Sequence, residues 1–404
     1  MGGLASAYAQ KGDLDKAIEL HSQSIILSKE IGNRAGQASA LGGLASAYAQ
    51  KGDLDKAIEL HSQSIILSKE IGNRAGQASA LGGLASAHAQ KGDLDKAIEY
   101  YQQAQLLNKE IGNRAGQASA LGGLASAYAQ KGDLDKAIKY YQQSQLLNKE
   151  IGNRAGQASS LGGLASAYAD KGEWKNAFNS YEQAYILNQQ IGDLPGQARA
   201  LGGLASASQQ LNNWEKVVEY QEKALLISEA LQDLRGQEKA IGGIAFAYSK
   251  MNKLENSIEY QFKALEINKK RNFPKGEAKA YGALASAFQR QGYSDKAIEF
   301  YLKAQDINQK MHDIKGQARA LGGIASIYYN QKNWKQAIPY LEQVLDLNRK
   351  IRDRFIHKTL FQLAVSHLRS NNKEKAKIYI EEAREITNGT DEKINNLFNT
   401  LNNN

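Results

Sequence analysis

Residues 41–80 read LGGLASAYAQKGDLDKAIELHSQSIILSKEIGNRAGQASA, and residues 2–40 spell the same text without its first letter. The text returns from Leu81, Leu121, Leu161, Leu201, Ile241, Tyr281 and Leu321 with growing divergence, and once more near Leu360 after a one-residue deletion. A fixed period of 40 over 404 residues marks a stacked repeat array, and it outranks every shorter pattern in the chain.

Each period reads as two helices. Leu41, Leu44, Ala45 and Tyr48 stand at i, i+3, i+4 and i+7, one face of a 3.6-residue period. Lys51-Gly52 stops that helix, and Asp53 is placed to cap the next by accepting orphan backbone N–H groups. The second helix is expected to bury Ala57, Ile58, His61, Ile65 and Ile71, with Gly72-Asn73 ending it. Neither helix can hide its apolar stripe alone, so stacking of the next period completes the core. The expected fold is all-α, an α-solenoid of ten helix pairs.

Leu41, Leu44, Ala45, Tyr48, Ala57, His61 and Ser64 occupy the intervals of the tetratricopeptide (TPR) signature, and the chain resembles that family over essentially its whole length. The 40-residue period and the run Ile71-Gly72-Asn73-Arg74-Ala75-Gly76 look like the long-helix subclass of the Leu-Gly-Asn polarity proteins and bacterial arrays. Where those proteins carry groove asparagines, this chain has Gly43 and Ser46. The resemblance implies a right-handed superhelix of about ten helix-turn-helix units, first helices inside, starting near residues 1, 41, 81, 121, 161, 201, 241, 281, 321 and 360. The array is expected over residues 1–386, with a polar tail over 387–404 in which Ile394, Leu397, Phe398 and Leu401 are spaced as a short capping helix. By the same resemblance the chain is a non-enzymatic scaffold that holds a protein or peptide segment along its concave groove. The alternatives are an adaptor or regulator similar to the polarity proteins, and the sensing arm of a larger bacterial signalling or effector protein.

Composition narrows the class further. There is no cysteine, hence no disulfide framework and no thiolate metal site, which fits a reducing, cytoplasmic setting. No apolar run approaches the roughly 18 residues of a membrane span, and MGGLASAYAQ is not patterned as a secretory signal. Met1 stands where Leu41 stands one period later, without the lead-in of Arg34 to Ala40. An uncapped first unit is expected to exchange amide hydrogens fastest, over residues 1–35, and leaves self-association through that end open. Net charge is +9, and its placement is uneven: residues 1–120 carry twelve basic and twelve acidic side chains, whereas residues 241–360 carry twenty-one against eleven. No nucleic-acid-reading motif accompanies this excess, so nucleic acid is not the expected partner.

Catalysis and cofactors find little support. Asp53 and Asp55 are a helix cap and a first-turn acid rather than a catalytic pair. His21 and His61 fill the register of Tyr101, Tyr141 and Tyr181 and have no metal-ligand spacing around them. Gly42-Gly43 lies mid-helix without the lysine and serine of a phosphate loop, and its recurrence points to close packing of first helices or to room for a ligand backbone. Trp174, Trp214 and Trp334 share the Leu54 register and are expected to pack. Pro339 falls near the sixth residue of a helix and is expected to remove a backbone bond there.

The binding signal lies in the first helix. The family geometry turns the registers of Ser39, Gly42, Ser46 and Gln50 toward the groove, and in early periods these are small and neutral. The Ser39 register later becomes Arg199, Lys239, Lys279, Arg319 and, allowing for the deletion, Lys358; the Gln50 register becomes Lys250 and Arg290, and Phe246 replaces the serine of Ser46. Cations near helix N-termini run against the helix dipole, so the dipole does not explain the series. The expectation is a ladder of cations for an acidic peptide, with Phe246 as its apolar anchor.

Overall fold

A computed structural model describes residues 1–402, which form 21 α-helices and, among the described residues, no strand. The chain divides into two compact units, Met1–Asn213 and Trp214–Asn404.

The first unit contains α1 (Gly2–Gln10), α2 (Leu14–Glu30), α3 (Arg34–Lys51), α4 (Leu54–Glu70), α5 (Arg74–Lys91), α6 (Leu94–Glu110), α7 (Arg114–Gln130), α8 (Leu134–Glu150), α9 (Arg154–Asp170), α10 (Trp174–Gln190) and α11 (Leu194–Gln210). The second contains α12 (Trp214–Ala230), α13 (Leu234–Lys250), α14 (Leu254–Lys270), α15 (Pro274–Arg290), α16 (Ser294–Lys310), α17 (Ile314–Asn330), α18 (Trp334–Lys350), α19 (Ile356–Arg369), α20 (Lys373–Ile386) and α21 (Glu392–Asn402). Within each unit every helix packs on the next, the antiparallel stacking of an α-solenoid. Odd-numbered helices also touch each other across periods, α1 with α3, α3 with α5 and α5 with α7 in the first unit and α15 with α17 in the second. First helices therefore crowd together on one face of the first unit, and α15 and α17 do the same in the second.

Local chemistry sets the helix ends. Asp53 Oδ1 accepts the Lys56 N–H at 3.1 Å and Asn73 Oδ1 accepts the Gly76 N–H at 2.9 Å, while Gly52 closes α3 in the left-handed region at φ 91°. Later periods replace such glycines: Lys332 holds φ 59° and Arg352 φ 50°. A side chain there costs roughly 1–2 kcal/mol. Lys332→Gly is therefore expected to raise the stability of α17–α18 by about 1 kcal/mol, read as a higher urea midpoint.

The core differs in one respect from the expected stripe. Ala57, Leu60, His61, Ser64, Leu67 and Ser68 are the buried side chains of α4, whereas Ile58, Ile65 and Ile71 are only half-buried. The buried set follows i, i+3, i+4, i+7, i+10 and i+11, and Ile58 and Ile65 lie about 100° round the helix from it, while Ile71 is the C-cap residue just past the last turn. Pro339 does not end α18, which runs from Trp334 to Lys350 through it. At the far end α21 buries Ile394 and Leu401 against Leu360, Leu363 and Ile380, with Leu397 and Phe398 packed alongside.

Inter-repeat ion pairs belong mainly to the first unit. Lys51 pairs with Asp15 at 2.6 Å and Lys91 with Asp55 at 2.6 Å, and Arg34–Glu70, Arg74–Glu110 and Arg114–Glu150 repeat a second register. Its charges thus cancel between neighbouring periods.

Candidate functional site

The Gly42-Gly43 pair divides its work between two faces. A Cβ on Gly43 would lie 2.3 Å from the His21 ring, and one on Gly323 would lie 2.3 Å from the ring of Tyr301, which is 9% exposed. At Gly43, Gly83, Gly123, Gly163, Gly203 and Gly323 the second glycine is therefore the seat of a ring from the preceding second helix, not a contact between first helices, while Gly243 faces the Gln221 side chain. The first glycine is different: a Cβ on Gly82, Gly162, Gly202, Gly242, Gly282 or Gly322 would meet nothing within 4 Å. This register is an open floor on the first-helix face.

In the second unit that floor is flanked by cations. Lys239, Lys279, Arg319 and Lys358 are all exposed, and none has an ion-pair partner among the described residues. Lys279 and Arg319 share a hollow of about 530 Å³ with Lys275, Lys315, Tyr301 and Asn308. A neighbouring hollow of about 530 Å³ takes in Lys315 and Arg319 and adds Arg352 and Arg354. Each hollow has one lining carboxylate, and both are engaged: Asp313 Oδ1 accepts the Gly316 N–H at 2.9 Å, and Asp353 Oδ1 accepts the Phe355 N–H at 2.7 Å.

Sequence reasoning missed half of this set. Arg235, Lys275, Lys315 and Arg354 replace the Ala35 of early periods, each four residues before a cation of the Ser39 register. Four residues is one helical turn, so Lys275 and Lys279, and Lys315 and Arg319, stand on the same helix face. The spacing was visible in the sequence; the signal was a second substitution series four residues upstream of the first. Like charges at this spacing destabilise a helix by about 0.2–0.5 kcal/mol per pair, and a position near the N-terminus adds to that.

The remaining expected site residues divide. Phe246 is 42% exposed, with the Trp214 ring 5.8 Å away edge-on and Lys250 Nζ 5.2 Å from its centroid. Arg290 is exposed but engaged by the preceding period, donating to Ser249 Oγ at 2.8 Å and Asn252 Oδ1 at 2.9 Å. Lys358 and Arg354 both lie over the Phe355 ring, at 4.7 and 4.5 Å. Arg199 belongs to the first unit, where it lines a hollow of about 500 Å³ with Trp174 and Tyr181 and sits 3.8 Å from Asp193. Trp174, half-buried, thus faces a hollow, while Trp334 packs on Tyr329 at 5.1 Å.

Helix hairpins stacked at a fixed period, with first helices gathered on one face, define a repeat solenoid of the interaction type. The tetratricopeptide repeat model matches residues 1–70, 76–145, 156–230 and 316–388, and a second model of the same repeat matches 239–271 and 278–311. The chain belongs to the tetratricopeptide repeat family. Its fold is similar to that of apo RapI, with 13% identity and TM-score 0.61 over 87% of this chain and 97% of that one. It is also similar to a signal transduction ATPase with numerous domains and a tetratricopeptide repeat sensor from Pyrococcus horikoshii, with 14% identity and TM-score 0.58 over 85% of this chain and 54% of that one. BtubC from P. vanneervenii matches at 19% identity and TM-score 0.51 over 55% of this chain and 92% of that one. No curated protein sequence matches the chain. No helix among the described residues is long and apolar enough to cross a membrane.

Proposed function

We infer that this chain is a non-enzymatic interaction scaffold whose second unit captures an acidic polypeptide segment on its first-helix face. The observation that carries the reading is the doubled ladder: Arg235 with Lys239, Lys275 with Lys279, and Lys315 with Arg319, all exposed and without ion-pair partners among the described residues. In the first unit some cations pair with carboxylates of the neighbouring period, as Lys51–Asp15 and Lys91–Asp55 do. In the ladder the chain keeps like charges adjacent at a local cost, and a carboxylate-rich ligand would remove that cost. Arginine adds two-pronged contacts to a carboxylate, and the exposed ring of Phe246 offers an anchor further along the unit.

The test is titration of a labelled glutamate-rich peptide by fluorescence anisotropy. Exposed pairs contribute about 0.2–1 kcal/mol each, so changing Lys239, Lys279 and Arg319 to serine, and Lys275 and Lys315 to alanine, is expected to weaken binding about a hundredfold. The salt dependence should flatten with it. Thermal unfolding should stay equal or rise as like-charge contacts disappear. Unchanged affinity would overturn the reading, as would equal capture of single-stranded RNA.

A further inference from the structure

The second helices of the first unit carry a row that neither the core nor the cation ladder uses. Ile26, Ile66, Leu106, Leu146 and Ile186 share one register of α2, α4, α6, α8 and α10, and each is between 46% and 60% exposed. Ile66 lies about 180° round α4 from the buried Ala57, so it points away from α3 and α5, the helices on which α4 packs. Copying of one period does not account for the row. Lys175, Asn179 and Glu182 of α10 stand where α8 has Asp135, Lys139 and Gln142, yet the row residue stays aliphatic. The register continues to Leu226 in the second unit and then turns acidic, at Glu266, Asp306 and Asp346, all exposed. The helix pairs thus accept a polar residue there. Single exposed apolar side chains need no explanation, but a row at one fixed register points to a covered surface.

We propose that this row is a self-association surface, and that its occupant is the same row of a second copy of the chain. Two observations select that occupant. The first is spacing. The row offers one aliphatic side chain per 40-residue period, and a second array repeats at the same pitch, so each side chain meets its own kind. The second is charge, which runs in bands across the helices. Glu19, Glu59 and Glu99 lie two turns before the row, and Lys29, Lys69 and Lys109 lie one turn after it. These lysines are exposed and have no ion-pair partner among the described residues. A twofold axis parallel to the row sets the glutamate band of each copy against the lysine band of the other. An axis across the row would set lysine against lysine. The contact is therefore in register, Ile66 on the second copy's Ile66. Residues 1–120 carry twelve basic and twelve acidic side chains, a balance that suits a surface pairing with itself and disfavours a polyanion. Five half-exposed aliphatic residues fall short of the roughly 800 Å² that a stable interface buries on each partner. Association is accordingly weak, reversible and dependent on concentration.

The experiment is sedimentation velocity of the full chain over a concentration series. The parent chain should pass from monomer to dimer, and a variant with Ile66→Gln, Leu106→Gln and Leu146→Gln should dimerise at least about tenfold more weakly. Glutamine is a good helix former at an exposed register, so circular dichroism and thermal unfolding should not change. Orientation is read by cross-linking, because the chain has no cysteine and one introduced thiol reports alone. Ile66→Cys should cross-link to itself through a short bis-maleimide. A chain with Lys69→Glu and Lys109→Glu should dimerise poorly alone and recover when mixed with one carrying Glu59→Lys and Glu99→Lys. Removing the cation ladder should leave dimerisation unchanged, so this proposal and the acidic-segment reading fail separately. A parent chain that stays monomeric to about 100 µM would overturn the proposal, as would a glutamine variant that dimerises equally well. Ile66→Cys joined only to Leu146→Cys would overturn it too, since that pairing belongs to an axis across the row. Binding of a monomeric parent chain, but not of its glutamine variant, to phosphatidylcholine vesicles would assign the row to a membrane instead.

Discussion

Gly323→Ala is expected to destabilise the second unit by about 1–3 kcal/mol, whereas Gly322→Ala, one residue earlier, should leave it unchanged or raise its stability by up to about 1 kcal/mol. The added atom is the same and so is the gain in helix propensity; only the surroundings differ. At Gly322 a Cβ enters open space. At Gly323 it would lie 2.3 Å from Tyr301 Cζ and 2.6 Å from both Cε atoms. Tyr301 cannot swing aside cheaply, because its ring is packed among Ala285, Ala297 and Ile324 and its hydroxyl donates to Gln289 Oε1 at 3.1 Å. Burial also pushes its phenol pKa up, in keeping with a side chain only 9% exposed. A repeat array need not unfold in one step, so the comparison belongs in hydrogen exchange of peptides from α16 and α17. Faster exchange is expected for Gly323→Ala alone. Equal protection in the two variants would mean that the ring relaxes away and that the second glycine is not its seat.

The same pair shows how far the amino-acid sequence can be read. A period of 40 with two amphipathic stretches was enough to place the helix pairs and several caps, because these depend on neighbours within about four residues. Asp53 and Asn73 act on N–H groups three residues ahead, which is a local fact. The separate tasks of Gly42 and Gly43 are not local. They depend on a ring from the preceding period, twenty-two residues back at His21, meeting one glycine and missing the other. Arg290 is similar: its partners Ser249 and Asn252 lie about one period upstream, and only stacking brings them together. The cation ladder was half legible. The Ser39 register stood out because serine became lysine or arginine, while the Ala35 register joins it on one helix face only because the first helix already begins at the Arg34 register. The unpartnered His61 Nδ1 and Ser68 Oγ were not legible at all, because a buried atom that no neighbour reaches is a shortfall that exists only once the neighbours are in place.

That shortfall has a measurable consequence in mild acid. His61 is 4% exposed, and burial alone lowers its imidazole pKa to about 4, against an ordinary value of 6.5. The unfolded chain therefore takes up a proton between pH 6.5 and about 4 that the folded chain refuses. Stability is complete above pH 6.5, declines as pH falls through this window, and levels off once the folded imidazole also protonates. A shift of this size corresponds to roughly 3 kcal/mol. His21 is displaced in the same direction by burial and adds to the same slope. No charged group lines the first-unit hollow that both rings border, so none offsets either effect there. The carboxylates of the neighbouring ion pairs titrate mainly below this range, with ordinary values of about 4, so the interval from pH 6.5 to 4.5 isolates the histidines. Amide exchange in α4 and α5, corrected for the intrinsic pH dependence of exchange, should accelerate steeply across that interval in the parent chain. In His61→Tyr most of the acceleration should vanish, because tyrosine, the residue of the later periods, carries no proton-binding site there. A His61 ring-proton resonance that titrates near pH 6.5 in the folded chain, or an unchanged acid slope in His61→Tyr, would show that the imidazole is not held neutral by burial. The acid sensitivity would then have to come from the ion pairs between periods.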